Sequence, residues 1–405
     1  MRTIVFIGSN KSGSSKDAII AAEALGFYTV LLTDRETFLA KRAEFPYVHE
    51  MILVDIDDMD AIRTELNFLM EQGKDIVAIS SFIEPYVYTA ALLGQEYGLP
   101  SQTPEAIATM LDKIRMREFL KDTHYSPLFW TCDDYSEVTT SIRRHLPLVV
   151  KSPLSSGSRD VILVTDRAQL EQEVNGLKKR YPDQKVLLEE YIDGPQYLAE
   201  VLVHRGKPHI VAVVEQIVHG KPHFIVTGYR VLLSPPIHLH SEIDNLVHVV
   251  AQKTGMRCGA FHVEFRVVNR RCKIIEVNPR ISGTAMNRMI DTAFGINLVQ
   301  ETLKSQMDQT PNLERRYERH VFTQYLTVSQ SGVLQKVTGR IRASKCAGVE
   351  EVYVKPRSGT TLRIPTSMGH RYAYVLAAAD SHSQAEKIAR DAAKLIQFHI
   401  TPELR

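Results

Sequence analysis

Two alternating runs joined by a polar turn constrain this chain more than any other feature. Phe261-His262-Val263-Glu264-Phe265-Arg266-Val267 and Lys273-Ile274-Ile275-Glu276-Val277-Asn278 alternate apolar and polar residues, with Asn269-Arg270-Arg271 between them. That is the pattern of an antiparallel hairpin. Symmetry about Arg270 predicts Val263 opposite Val277 and Phe265 opposite Ile275 on the buried face. On the other face Glu264 then meets Glu276, and His262 meets Asn278. Facing like charges destabilise a sheet, whereas carboxylates and an amide carbonyl suit Mg²⁺ when phosphates complete its shell. The pairing predicts a nucleotide-linked metal site. The alternative is a strand face whose acids are neutralised by Arg266 and Lys273.

The chain has 405 residues, 44% hydrophobic and 24% charged, with a formal net charge of +2. It is long enough for two or three packed domains, and so small a net charge implies neither a nucleic-acid nor a membrane partner. The four cysteines, Cys132, Cys258, Cys272 and Cys346, have no CxxC spacing, which predicts reduced thiols. The apolar start Ile4-Val5-Phe6-Ile7 is too short for a signal-peptide core, and no later run is long enough to span a bilayer. A cytoplasmic protein is expected.

Residues 1–112 alternate short apolar runs (3–8, 29–33, 51–54 and 75–80) with amphipathic segments, as parallel βαβ units do. Their loops, including Gly8 to Ser15 and Ser80 to Pro85, are expected at the carboxyl edge of the sheet, where such folds bind ligands. Gly8 and Gly13 have the spacing of a phosphate-binding loop, but Ser14 stands where its lysine belongs, so a turn at a helix start is expected. Residues 104–121 read as one helix containing Asp112-Lys113. Strands at 148–151, 161–164 and 186–188 follow, with a helix at 167–180. Gly206-Lys207-Pro208-His209 and Gly220-Lys221-Pro222-His223 read as hairpin turns. Eight histidines lie between His204 and His262, without a metal-binding pattern beyond His238-x-His240 in a Pro-rich loop. Residues 316–405 read as a small α+β closing domain without obvious chemistry, its last helix opened by a Ser383/Glu386 capping box.

Three features outline a nucleotide site. Lys151 ends an apolar strand before the loop Ser155-Ser156-Gly157-Ser158-Arg159, whose backbone N–H groups could approach phosphates. In Leu188-Glu189-Glu190-Tyr191-Ile192 a buried strand runs into groups that could face an adenine ring. The acid hairpin is the third. In this order they resemble the ATP-grasp carboxylate–amine ligases, over most of the chain to about residue 303. The resemblance implies an α/β and α+β protein of the ATP-grasp fold. A Rossmann-like pre-ATP-grasp domain (1–112) would precede an ATP-grasp domain (113–315, lid subdomain about 125–190) and a C-terminal α+β domain (316–405).

It implies that Lys113 and Lys151 bind the phosphates of ATP and that Ser156, Gly157 and Ser158 belong to a mobile lid. Glu189, Glu190, Tyr191 and Ile192 would form the adenine hinge, Glu189 accepting from the exocyclic amine, and Gln196 falls at a ribose position that is frequently acidic in relatives. Glu264, Glu276 and Asn278 would hold Mg²⁺, for which Mn²⁺ could substitute, and Arg280 the acyl phosphate, with Lys151 and Arg280 the catalytic cations.

The Gly8-Ser9-Asn10-Lys11-Ser12-Gly13 start, the length and the segment from Glu276 to Gly283 look most similar to bacterial L-amino-acid ligases. That implies amino-acid substrates, a dipeptide product and a possible homodimer. Arg280-Ile281-Ser282-Gly283-Thr284 would face the amino-acid carboxylate or acyl phosphate, Ser282 and Gly283 through backbone N–H groups. Glu84 would hold an ammonium group, with Pro85 shaping the pocket, or else favour its helix N-terminus. The alternatives are a carboxylase, a purine-pathway ligase and a non-catalytic ATP-binding protein. A phosphorylated amine would need an added basic pocket, which the sequence does not point to.

Overall fold

The structure, a computed structural model, describes residues 1–283 and 285–402; Thr284 lies outside the described residues. Strands β1 (Arg2–Ile7), β2 (Tyr28–Thr33), β3 (Glu50–Leu53) and β4 (Asp75–Ser80) form a parallel sheet in the order β3-β2-β1-β4. Helices α1 (Ser14–Ala24), α2 (Met59–Glu71) and α3 (Glu84–Glu96) connect it. A parallel sheet needs cover on both faces. Ile62, Leu66 and Leu93 pack against Val5 and Ile7 on one side, and Ala18 and Ile19 against Ile4 and Phe6 on the other.

The helix expected over 104–121 is two, α4 (Pro104–Leu111) and α5 (Lys113–Leu120). Asp112 has extended backbone angles, and its side chain accepts from the backbone N–H of Ile114 and Arg115. A carboxylate that caps one helix ends the other, and neither event disturbs the apolar periodicity.

Strands β5 (Phe129–Cys132), β6 (Leu148–Lys151), β7 (Val161–Val164) and β8 (Val186–Glu190) form a separate antiparallel sheet in the order β5-β8-β6-β7. Leu170, Val174 and Leu177 of α6 (Arg167–Arg180) cover it.

The main sheet contains β9 (Gln196–His204), β10 (Lys207–His219), β11 (Ile225–Leu232), β12 (Gly259–Val268) and β13 (Arg271–Asn278). Between β11 and β12 lies α7 (Ile237–Thr254), whose first turn carries His238 and His240, residues expected in a loop. After α8 (Met286–Phe294) and α9 (Leu298–Gln306) come β14 (His320–Leu326), β15 (Gly332–Thr338), β16 (Val349–Val354), β17 (Thr361–Leu362) and β18 (Ala373–Ala379). The sheet order is β13-β12-β9-β10-β11-β14-β18-β16. Strands β14, β18 and β16 therefore extend the same sheet, while β15 pairs with β17 and with residues Gln397–Pro402 in a separate three-stranded sheet. The final helix α10 (His382–Lys394) is capped by Ser381, two residues before the expected box; Glu386 pairs instead with Arg230 and Arg390. Strand β9 sits inside the sheet, with α7 on one face and α8 and α9 on the other, which is why it is an almost unbroken buried run.

The acid hairpin has the expected pairs Glu264 with Glu276, His262 with Asn278 and Val263 with Val277. Nearer the turn it differs, because Asn269 and Arg270 both adopt left-handed angles and make a two-residue turn. Phe265 consequently faces Ile274, not Ile275, and a bulge after Glu264 absorbs the extra residue.

Candidate active site

The site begins where Asp112 stops α4, because that break makes Lys113 the first residue of α5. Its Nζ lies 2.9 Å from Glu276 and donates to the carbonyl of Ser155 at 2.6 Å. One turn further on, Arg117 is buried. Its Nε donates to Glu189 at 2.6 Å, and Lys151, at the end of β6, reaches the other carboxylate oxygen at 2.5 Å. Burial alone would raise the pKa of Glu189, but Arg117 and Lys151 hold it below the usual range. Burial lowers the pKa of Lys151, and Glu189 only partly opposes this. The Glu189 side chain, expected to meet the adenine amine, thus has both oxygens engaged by cations. Arg117 was not anticipated, although its place four residues after Lys113 puts it on the same helix face.

A pocket opens between the β5–β8 sheet and the main sheet. Lys113, Lys151, Ser158, Glu189, Glu190, Tyr191, Ile192, Gln196, Glu264 and Glu276 all line it. Ser156 and Gly157 stand outside it. The Gly157 carbonyl instead accepts from the backbone N–H of Met368, joining the loop after β6 to the C-terminal segment. Glu190 turns its carboxylate to the Leu128 N–H. Arg266, expected only as a neutraliser of the acids, and Phe224, not expected at the site, also line the pocket. The Arg266 guanidinium lies 5.5 Å from the Tyr191 ring and 5.4 Å from that of Phe224, and it bonds Gln196 and the Ile192 carbonyl.

Arg266 therefore does not neutralise the paired acids, and Lys273 points to the Ser126 carbonyl and Glu190. The two carboxylates differ in surroundings. Burial, then Glu276, pushes the Glu264 carboxyl up to about 7; its oxygens accept from the amides of Gln216 and Gln196. Glu276 would also rise by burial, but Lys113 holds it below the usual range. On the same face, His262 is pushed down to about 3 by burial and by Arg280. The neutral ring can donate from Nδ1 to the Arg280 carbonyl at 2.7 Å, leaving Nε2 to accept from Asn278 Nδ2 at 3.2 Å. The Asn278 amide is thereby oriented, and its carbonyl oxygen stays available as a donor atom. Among the described residues no group of three or more His, Cys, Asp or Glu could hold a metal. Two carboxylates and an amide form an oxygen set that fits Mg²⁺ once phosphate oxygens are added.

Beyond Asn278, Arg280 pairs with Glu84 at the start of α3, so Glu84 meets the guanidinium and makes no side-chain cap. Pro85 is exposed in the same first turn. The Ser282 N–H donates to Glu200 at 2.9 Å, and a side chain at Gly283 would meet open space. Glu200, on β9, is 0% exposed and is pushed up to about 8 by burial. Its signal in the sequence was a lone acid within an apolar strand.

Residues 19–101 match the ATP-grasp N-terminal domain, 144–288 the ATP-grasp domain and 324–401 the L-amino acid ligase C-terminal domain 2. The chain is an ATP-grasp protein of the carboxylate–amine ligase class, like the L-amino acid ligases. The L-amino acid ligase from Bacillus licheniformis superposes with a TM-score of 0.84 at 21% identity, covering 99% of each chain. In sequence the chain is 27% identical over 417 residues to an uncharacterized protein, y4rH, of Sinorhizobium fredii, covering 99% of this chain and 84% of that one. It is 20% identical over 364 residues to the L-arginine-specific L-amino acid ligase of Bacillus subtilis, covering 88% of this chain and 87% of that protein. No helix among the described residues is long and apolar enough to cross a membrane.

Proposed function

We propose that the protein joins the carboxylate of one L-amino acid to the amine of another, converting ATP to ADP and phosphate. The observation that carries this reading is the adjacency of one pocket holding Lys113, Lys151, Glu264 and Glu276 to the Arg280–Glu84 pair at the mouth of the first domain. Lys113 and Lys151 hold the triphosphate, and the backbone from Glu189 to Ile192, with Gln196, receives the adenosine. Glu264, Glu276 and Asn278 would hold Mg²⁺, which would supply positive charge against the transferring phosphoryl group; Mn²⁺ would suit the same oxygens.

A carboxylate oxygen of the first substrate attacks the γ-phosphorus, the bond to the β–γ bridging oxygen breaks, and ADP leaves. The amine of the second substrate then attacks the acyl carbon, phosphate departs with its bonding electrons, and the ammonium product loses a proton. Arg280 stabilises charge on the acyl phosphate. Ser282 and Gly283 bring their backbone N–H groups to its oxygens, with the Ser282 N–H turned from Glu200. Glu84, exchanging Arg280 for an α-ammonium group, positions an amino acid beside Pro85. The lid excludes water that would hydrolyse the intermediate.

A screen of amino-acid pairs with ATP and Mg²⁺, read by phosphate release and product mass, tests this. ATP turnover that ignores amino acids and rises with bicarbonate would overturn it in favour of a carboxylase.

A further inference from the structure

Residues 316–405 carry a feature that no contiguous motif announces. Between the loops after β1 and β2 on one side and β15, the end of β16 and the segments following them on the other lies a broad cleft lined by Lys41, Lys336, Arg340, Lys355, Arg357 and Arg363. None of these six has a carboxylate within ion-pair distance among the described residues. Lys11 also lines the cleft and pairs with Glu44 at 2.8 Å. No Asp or Glu lines it. In a molecule of net charge +2, such local excess costs repulsion in the folded state and is relieved by a bound anion.

The cleft leads towards the chemistry. Lys11, Tyr353, Lys355 and Tyr372 also line an adjoining chamber containing Arg371 and Met368. Met368 is the residue bonded to Gly157 in the loop after β6. Arg371, 4.0 Å from the Tyr325 ring, is close enough that its charge acts on Glu264. Neither cleft nor chamber shares a residue with the pocket of Lys113 and Lys151, to which the ligase reading assigns the triphosphate of ATP.

We propose that the cleft binds an anionic group, a phosphate monoester or an additional carboxylate, carried by a substrate whose reacting end lies at Arg280. This rests on the ligase reading and narrows its substrate class. Seven exposed or half-exposed cations around an open cleft suit such a group better than a neutral side chain, because their attraction acts before contact and raises the rate of encounter.

The test uses the full chain, with O-phospho-L-serine, L-glutamate and L-alanine as probes, titrated calorimetrically without ATP. The triple variant Arg340→Ala/Arg357→Ala/Arg363→Ala changes three exposed side chains. O-phospho-L-serine or L-glutamate is expected to bind at least ~10-fold more tightly than L-alanine, and the variant to lose at least ~10-fold of that affinity. Which of the two anions binds distinguishes phosphate from carboxylate. Equal binding of L-alanine, or undiminished binding of both anions by the variant, overturns the proposal. Absence of ATP turnover with every amino-acid pair would strike the ligase reading alone, since the calorimetric difference does not depend on catalysis.

Discussion

Glu264 and Glu276 face one another, yet among the described residues only Glu276 has a cation within ion-pair distance. Lys113 keeps Glu276 ionised, whereas Glu264, with amide partners, is pushed up to about 7. Glu276→Gln keeps the volume and removes the charge, so kcat is expected to fall at least ~100-fold with the melting temperature little changed. Retained turnover in steady-state assays would remove Glu276 from the site. Glu200 gives a different signature, because its folded carboxyl is pushed up to about 8 while an unfolded one ionises near the ordinary value. Between those values the unfolded state holds fewer protons, so the wild-type protein loses stability as pH rises through the window. Glu200→Gln keeps an acceptor for the Ser282 N–H and has no such loss. Its melting temperature is expected to gain on wild type from about pH 5 to about pH 8, and a pH-independent difference would contradict this.

Elements were legible where a short apolar run met polar punctuation. Strands β4 and β7 and helix α6 have the bounds read from the sequence. The break between α4 and α5 was not, because Asp112 sits inside a continuous helical period and only its capping bonds reveal it. Asp112→Ala is expected to cost about 1 kcal/mol in urea unfolding and to raise the KM for ATP, since Lys113 begins the capped helix. An unchanged KM would mean that the cap does not position Lys113. The hairpin shows the opposite case: its turn is one residue shorter than the alternation predicts, yet the bulge leaves the acid pair opposed.

At the scale of the whole molecule, the expected boundary at 315 does not interrupt the main sheet, which continues from β11 to β14, β18 and β16. Val321 and Leu376 lie in the same core as Leu198, Ile290 and Phe6. A chain ending at residue 315 would leave β11 as a long unpaired edge over an opened core, a condition that favours aggregation. It is expected to be insoluble or to lack cooperative unfolding by circular dichroism. A soluble fragment with a sharp transition would show that the earlier residues fold alone. The basic cleft also belongs to this scale, since its walls come from residues 11–41 and 335–372.

The sequence by itself determined the alternation of elements, the opposed acids and the lysines that precede them, because periodicity, charge pairing and strand ends are local and act over a few residues. Only the tertiary structure decided that Glu189 is clamped by Arg117 and Lys151, that Arg280 meets Glu84 and that distant cations share one cleft. Those contacts join residues separated by 38 to 196 positions in the pairs named, and their partners are chosen by which sheet edges and helix ends the folded core brings together.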